Sequence, residues 1–207
     1  MPSGSLCQPG KPKSANGCVA RQHGGIMKAS VYIATSLDGF IARLNGDIGW
    51  LGEPPGGNGP EGGGEDYGYK KFFETVDVLV MGRNTYEKVL SFDGWPYGSK
   101  PVVVLSSRSL VIPEQISESV ETMSCSPAEL IDRLSQRGVK HIYVDGGNTI
   151  QRFLDAGLIQ RLIITTIPVL IGSGISLFGP LQHDIKLRHT ETKVSGAIVR
   201  SEYEVVG

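Results

Sequence analysis

The hydrophobic positions of this chain form short apolar runs that are followed by polar turns. Three runs are rich in β-branched residues and have the length of buried strands: Val76–Val80, Val102–Leu105 and Ile142–Val144. The first and third lead through glycine-containing turns into segments with helical spacing. If these strands are parallel, their carboxyl ends meet at one edge of a sheet, where open α/β sheets bind ligands. The pattern therefore predicts that the three turns lie together.

Further segments extend this α/β pattern. Ser126 and Glu129 form a capping box with proline between them, which predicts a helix that ends at Gly138. A second helix is predicted over Asn148–Ala156, where apolar residues recur at helical spacing. Lys28–Thr35 alternates apolar and other residues and is predicted to be the first strand.

The last part of the chain is predicted to be β structure. Arg161–Ile171 is a long β-branched segment, and Ile185–Val194 and Ala197–Val206 alternate around Ser195-Gly196, as expected for a hairpin. The order of elements predicts an α/β fold. Its sheet would be mixed but mostly parallel, with helices on both faces and a C-terminal antiparallel hairpin.

Composition narrows the range of functions. The chain has 207 residues, of which 40% are hydrophobic and 20% charged, enough for one domain with a proper core. The net charge is -1, so we expect no nucleic-acid partner. No apolar run approaches the roughly 18 residues of a membrane span, so we expect no membrane association. The 4 histidines lack ligand spacing, and we predict no metal site.

The first 26 residues differ from the rest. They are rich in Gly, Pro and Ser, contain no acid, and have too little apolar surface to form a core. We therefore predict a disordered extension over 1–26 and one folded domain over 27–207. The cysteines (Cys7, Cys18 and Cys125) show no disulfide spacing, which favours the cytoplasm. Organellar targeting by residues 1–26 is the alternative.

Two of the polar turns carry groups that suit a phosphate. Arg83 follows the first strand, and Ser106, Ser107 and Arg108 follow the second. Two guanidinium groups and two hydroxyls in one crevice would suit a phosphomonoester such as the 2′-phosphate of NADPH. Taken singly, each residue is better explained as a solvated cation or a turn residue. Only the set favours a phosphate site.

The third turn contains Gly146 and Gly147. Because glycine has no Cβ, such a pair lets a pyrophosphate approach the start of the following helix closely. The sequence is not GxGxxG, and a tight strand-to-helix turn without a ligand explains the pair equally well.

These turn motifs resemble those of the dihydrofolate reductase-like superfamily. The resemblance is carried by MGRNTYE (Met81–Glu87), LSSR (Leu105–Arg108) and VDGGNTIQRF (Val144–Phe153), and it spans nearly all of residues 28–206. The segment IPVLIGSGISLF (Ile167–Phe178) is similar to one branch of the superfamily. That branch contains the reductase domain of the bifunctional riboflavin-biosynthesis deaminase-reductase and its stand-alone relatives.

The resemblance implies NADPH as the cofactor, held along the carboxyl edge of the sheet. Ala34 and Ile41 would border the nicotinamide, and Gly146, Gly147 and Asn148 would face the pyrophosphate. The adenosine phosphates would meet the first two turns, which comprise Gly82, Arg83, Asn84, Thr85, Leu105, Ser106, Ser107 and Arg108.

Hydride transfer leaves a nitrogen or oxygen that needs a proton, and a carboxylic acid in a half-apolar pocket can supply it. Asp66 is the candidate, because its spacing before MGR matches the position of the acid in dihydrofolate reductases. Asp66 could equally well cap the helix that follows. Asp38 is the alternative acid. Trp50 is expected at the pocket mouth, although a core position is the simpler explanation.

We therefore expect an NADPH-dependent reductase of a small pterin- or pyrimidine-like heterocycle. It would be of the dihydrofolate reductase or 5-amino-6-(5-phosphoribosylamino)uracil reductase type. Lys100 falls where dihydrofolate reductases carry an arginine that binds the glutamate tail of folate, so the identity of the heterocycle stays open. A non-catalytic nucleotide-binding or regulatory module on the same fold is the alternative. The riboflavin branch also implies a homodimer, for which Ile163–Ile171 could supply the contact.

Overall fold

The computed structural model describes residues 27–52 and 67–206. The predicted extension over 1–26 and the candidate acid Asp66 lie outside the described residues. The strands are β1 (Lys28–Ser36), β2 (Phe40–Ala42), β3 (Val78–Gly82), β4 (Val102–Leu105), β5 (Val120–Met123), β6 (His141–Asp145), β7 (Arg161–Ile167), β8 (Ile175–Ser176), β9 (Lys186–Ser195) and β10 (Ile198–Val206). The α-helices are α1 (Tyr69–Glu74), α2 (Arg83–Leu90), α3 (Pro127–Gln136) and α4 (Gly147–Asp155).

Eight strands form one sheet in the order β5-β4-β3-β6-β1-β7-β10-β9. The pairs from β5 to β7 are all parallel, whereas β10 runs antiparallel to both β7 and β9. Strands β2 and β8 form a separate antiparallel pair. The predicted mixed sheet, mostly parallel with a closing hairpin, is confirmed.

Helices cover both faces of the sheet, as predicted. Alternate residues of β3 point to opposite sides: Val78 and Val80 belong to one apolar cluster, and Leu79 and Met81 belong to the other. The first cluster contains side chains of α3 and α4, and the second contains side chains of α1 and α2. We call the side of α1 and α2 the α1/α2 face.

The predicted capping box at the start of α3 is present. The Ser126 Oγ accepts a hydrogen bond from the Glu129 amide at 3.3 Å, and the Glu129 carboxylate accepts one from the Ser126 amide at 2.8 Å. Two otherwise unpaired amides are thus satisfied at the helix start.

The structure corrects one expectation about the C-terminal half and narrows another. The strand predicted over Arg161–Ile171 ends at Ile167, because Pro168 has no amide hydrogen to continue the ladder. β7 also lies inside the sheet, and Ile163 and Ile167 are buried in the chain's own core. The run Ile163–Ile171 therefore cannot supply a dimer contact along its whole length, although Leu170 is exposed.

Candidate active site

The three predicted turns meet at the carboxyl edge of the sheet. β4, β3 and β6 are neighbours in the sheet. Gly82 pairs with Leu105, and Met81 pairs with Asp145. The three strands therefore end at nearly the same level, and the turns that follow continue from one edge.

A cavity of about 490 Å³ opens at this edge, and we call it the main cavity. Most of the predicted cofactor residues line it: Ala34, Ile41, Gly82, Arg83, Asn84, Thr85, Leu105, Gly146, Gly147 and Asn148. The first residues of α2 and α4 are among them, so the amide-rich starts of both helices border the cavity.

The remaining predicted residues line a second cavity of about 450 Å³, which we call the arginine cavity. Ser106, Ser107 and Arg108 form its wall, together with Arg83 and Arg152. The Ser106 Oγ also accepts a hydrogen bond from the Arg108 amide at 3.1 Å, so this serine shapes its own turn as well. Three guanidinium groups on one small cavity form a strongly cationic site.

Arg83 connects the two cavities, because it lines both of them. Its Nε donates a hydrogen bond to the Glu87 Oε1 at 2.7 Å, one helical turn further on. Its Nη1 is buried and has no hydrogen-bond partner among the described residues. A buried donor of this kind is costly unless a ligand satisfies it, and an anion would do so.

Two glycines bring the turns after β3 and β6 into close contact. A Cβ on Gly82 would lie 2.8 Å from the Thr149 Oγ1, and a Cβ on Gly146 would lie 2.2 Å from the Thr85 Oγ1. Gly146 also has a φ of +88°. Each glycine therefore leaves room for a threonine of the other turn, and together they fix the floor of the main cavity.

Asp145, the last residue of β6, places a carboxyl group in the wall of the main cavity. Its Oδ1 accepts a hydrogen bond from the Gly146 amide at 2.8 Å. No described residue donates to its Oδ2, which leaves that oxygen available to a ligand. Burial raises the pKa of Asp145 to about 6, and the hydrogen bond from Gly146 only partly offsets this effect.

Tyrosines surround Asp145 on the α1/α2 face. Burial, and then the nearby Asp145 charge, raise the pKa of Tyr69, Tyr97 and Tyr143. The Tyr143 hydroxyl donates to the Tyr32 carbonyl at 2.7 Å, whereas Tyr97 lines the main cavity. Asp145 thus lies at the boundary between the aromatic core and the cavity.

The sequence patterns did not point to several residues of the site, although signals for them exist. Lys88 and Arg152 line the main cavity, and each lies four residues after a predicted asparagine, Asn84 or Asn148. Helical spacing places such pairs on one side of a helix. Thr149 could have been found from the repeated Gly-x-Asn-Thr pattern after β3 and β6. Asp145 could have been found because it lies two residues after Tyr143 and so shares its side of the sheet.

The surroundings of Asp38 argue against its role as the alternative proton donor. Asp38 is exposed and is not among the residues that line the main cavity. Its carboxylate accepts hydrogen bonds from the Ser36 hydroxyl at 2.6 Å and the Gly172 amide at 2.8 Å. The Ser36 hydrogen bond and the backbone hydrogen bonds lower its pKa, so the group stays ionised. Asp38 instead holds the β1–β2 turn against the segment after β7.

Trp50 lies in the core and not at the mouth of the cavity. It is buried with Ile167 and Ile198, and it does not line the main cavity, although Ile48 and Leu51 do. The simpler explanation of this tryptophan therefore holds.

Metal-ligand clusters and membrane-spanning helices are both absent from residues 27–52 and 67–206. No group of three or more His, Cys, Asp or Glu side chains in these ranges could hold a metal ion. None of the helices found there is long and apolar enough to cross a membrane.

The fold and the position of the cavities define the class of protein. A mostly parallel sheet with helices on both faces, a C-terminal hairpin and ligand-suited turns at its carboxyl edge is a dihydrofolate reductase-like fold. The family model of the RibD C-terminal domain matches residues 28–199, and the chain belongs to this family.

Individual relatives agree with this assignment. The chain is 38% identical over 180 residues to the uncharacterized protein YwjB of Bacillus subtilis, covering 85% of this chain and 97% of YwjB. It is 37% identical over 98 residues to the dihydrofolate reductase HdrB of Haloferax volcanii, covering 46% of this chain and 50% of HdrB.

A solved structure from Shewanella sp. PV-4, whose name assigns it to riboflavin biosynthesis, has a similar fold. Its TM-score is 0.80 at 39% identity, with coverage of 87% of this chain and 100% of that one. Membership of this family and the likeness to HdrB support a reductase of the pyrimidine or dihydrofolate type.

Proposed function

We propose that this protein is an NADPH-dependent reductase that transfers a hydride to a small pterin- or pyrimidine-like heterocycle. The observation that carries the proposal is the position of Arg83. This residue joins the cationic arginine cavity to the main cavity, which has a carboxyl group in its wall. Membership of the RibD C-terminal domain family supports reductase chemistry of the kind used in riboflavin biosynthesis.

The residues that border the two cavities fit NADPH. The Arg83 Nη1, which has no partner among the described residues, would hold the phosphates of the adenosine end together with Arg108 and Arg152. The turn at Gly146 and Gly147 would face the pyrophosphate, because it offers the start of α4 without an intervening side chain. Ala34 and Ile41 would border the nicotinamide on the apolar side of the main cavity.

When bound, NADPH supplies the hydride. Asp145 would serve the substrate: its Oδ1 is held by the Gly146 amide, and its Oδ2 can hold or release a proton at a ring nitrogen or oxygen. A carboxyl group with a pKa of about 6 exchanges protons readily near neutral pH. Asp66 remains the candidate donor from the sequence, so the two acids require separate variants.

The cofactor is tested by titrating NADPH and NADH into the wild type and the Arg83→Ala/Arg108→Ala variant. We expect the double variant to lose about tenfold or more in NADPH affinity and much less in NADH affinity, because the arginines face the extra phosphate. Arg137→Ala/Arg188→Ala, which removes two exposed arginines outside both cavities, is the charge-matched control. Equal weakening of both cofactors by the double variant would refute the assignment.

Catalysis is tested by following NADPH oxidation against a panel of dihydropterins, aminouracil derivatives and related imines. Asp66→Asn and Asp145→Asn are measured in parallel. For the proton donor we expect NADPH binding to be retained and turnover to be lost. A wild-type protein that binds NADPH but oxidises none of it across the panel would instead support a non-catalytic nucleotide-binding module.

We also propose a homodimer. One support is the resemblance to the riboflavin-biosynthesis branch of the superfamily. The other is the presence of exposed apolar residues after β7 and on the hairpin, such as Leu170 and Val194. Light scattering that finds only monomer at micromolar concentration would overturn this.

A further inference from the structure

Positive charge is unevenly distributed along the two cavities. The arginine cavity combines Arg83, Arg108 and Arg152 with serine hydroxyls, which is a donor set suited to phosphate. One part of the main cavity is lined by later residues of α2, by the loop after it and by the end of β6, and none of these residues lines the arginine cavity. We call this part the substrate half, and its residues are Lys88, Val89, Phe92, Tyr97 and Asp145.

The substrate half has little that could bind a phosphate. Lys88 is its only basic residue within the described ranges, and the Lys88 Nζ lies 5.9 Å from the centre of the Phe92 ring. No arginine among the described residues of the substrate half offers a two-point fork. Both helix starts that border the main cavity, at Arg83 and Gly147, belong to the part assigned to the cofactor.

The substrate half also carries an acidic group. Asp145 adds a carboxyl group to the wall of the substrate half itself. A phosphate monoester carries a charge of about -1.5 to -2 near neutral pH, so its transfer into this environment would cost free energy through desolvation and repulsion.

The same residues suit an uncharged ring. Tyr97 and Phe92 offer aromatic surfaces, and Val89 offers an aliphatic one. The Asp145 Oδ2, which receives no hydrogen bond from a described residue, can accept one from a ring N–H or an O–H of the ligand.

We propose that the substrate half takes an unphosphorylated, uncharged planar heterocycle with an N–H or O–H donor directed at Asp145, and that it discriminates against the ribosyl-phosphate form. This proposal rests on the proposed reductase function. It sets the substrate apart from 5-amino-6-(5-phosphoribosylamino)uracil, one of the two substrate types that the sequence leaves open.

The test uses two pairs of ligands that differ only in a phosphate. One pair is 5-amino-6-(ribosylamino)uracil with and without its 5′-phosphate. The other is a dihydropterin that carries a polyol side chain with and without a terminal phosphate. Binding to the NADPH-loaded protein is measured by calorimetry. In at least one pair we expect the unphosphorylated form to bind about tenfold or more tightly.

Tighter or equal binding of the phosphorylated form in both pairs would overturn the proposal. Failure of all four ligands to bind would overturn it too, because the proposal assigns this class of heterocycle. Neither result would count against the reductase function if NADPH binds in the loading titration and is oxidised in the presence of another heterocycle of the substrate panel described above. Absence of NADPH binding would count against the reductase function instead.

Two variants isolate the role of charge. Lys88→Met should leave the ratio of affinities within each pair the same within about twofold. A selective loss of affinity for the phosphorylated ligand by about tenfold would show that Lys88 anchors a phosphate and would contradict the proposal.

Phe92→Arg, at a partly exposed position, adds a second cation beside Lys88. It should raise the affinity of the phosphorylated ligand by roughly fivefold. No gain in a variant with a wild-type melting temperature would argue against charge as the determinant.

Discussion

Gly146 and Thr85 lie against each other where β6 ends and α2 begins, and a Cβ added to Gly146 would come within 2.2 Å of the Thr85 Oγ1. Gly146 also has φ +88° and ψ 133°, a backbone conformation that residues with a Cβ rarely adopt. The contact between these two residues fixes the distance between the two turns that border the main cavity.

Gly146→Ala should therefore damage the site by forcing these turns apart. We expect a loss of about tenfold or more in NADPH affinity and roughly 1–3 kcal/mol of unfolding free energy. Calorimetric titration and urea unfolding measure the two effects. Gly138→Ala is the control, since Gly138 has φ +81° but a Cβ added there would meet nothing within 4 Å. If Gly138→Ala weakened NADPH binding equally, general backbone strain and not this contact would be the cause.

The raised pKa of Asp145 predicts that replacing this residue increases the stability of the protein, whereas most substitutions decrease it. Burial raises its pKa to about 6 in the folded state, so the folded protein holds this proton more tightly than the unfolded chain does. Stability is therefore lost as the pH rises from about 4 to about 6, and the penalty persists above that range. Asp145→Asn should remove it, making the variant more stable near pH 8 by roughly 1–3 kcal/mol, with no advantage below about pH 4.

Asp77→Asn provides the matched control with the opposite sign. Hydrogen bonds from the backbone amides of Lys140 and His141 lower the pKa of Asp77, so its contribution to stability is present at neutral pH and is lost as the pH falls through the folded-state pKa. Urea unfolding between about pH 3 and pH 8 compares the two variants. Parallel pH profiles for both would show that the Asp145 carboxyl is not in a desolvated environment.

Arg200 should be important for stability because it is buried with several partners. Its Nη2 bonds to Glu202 and Glu191 at 2.9 Å each, and its Nη1 donates to the Tyr67 carbonyl. Arg200→Met leaves the buried Glu202 carboxylate with fewer partners and the Tyr67 carbonyl with one donor fewer. We expect a loss of about 3 kcal/mol in thermal or urea unfolding.

The exposed pair Arg188–Glu204 on the same hairpin gives the comparison. Both of its side chains are largely solvent-accessible, at 68% and 47%. Arg188→Met should therefore cost less than about 1 kcal/mol. Equal losses for the two arginine variants would mean that burial does not determine the cost.

A role of Arg152 in NADPH binding is predicted from the structure alone. It lines both cavities, four residues after Asn148 on α4. Arg152→Met should weaken NADPH about tenfold and NADH less, because it removes a cation from the arginine cavity while keeping the aliphatic part of the side chain. Arg133→Met, on α3 and absent from both cavity linings, controls for the change in net charge. The interpretation fails if the two variants weaken NADPH alike.

Local patterns in the sequence were sufficient where neighbours along the chain determine structure. The capping box at Ser126 and the Ser195-Gly196 hairpin are examples, because their hydrogen bonds join residues a few positions apart. The strand-to-helix turns at Gly82 and Gly146 were also predictable from an apolar run that ends in glycine. β5 was not predicted, because its four residues (VETM) carry too weak a pattern.

The sequence by itself thus determined most of the elements, their mostly parallel arrangement and the turns that line the cavities. Only the tertiary structure decided that Asp145 would lie desolvated beside tyrosines, that Arg152 would join Arg83 and Arg108, and that Asp38 would hold a loop in place. The reason is physical: hydrogen bonds within a turn depend on adjacent residues. The pKa of a carboxyl group and the clustering of guanidinium groups depend instead on which distant segments the sheet register brings together.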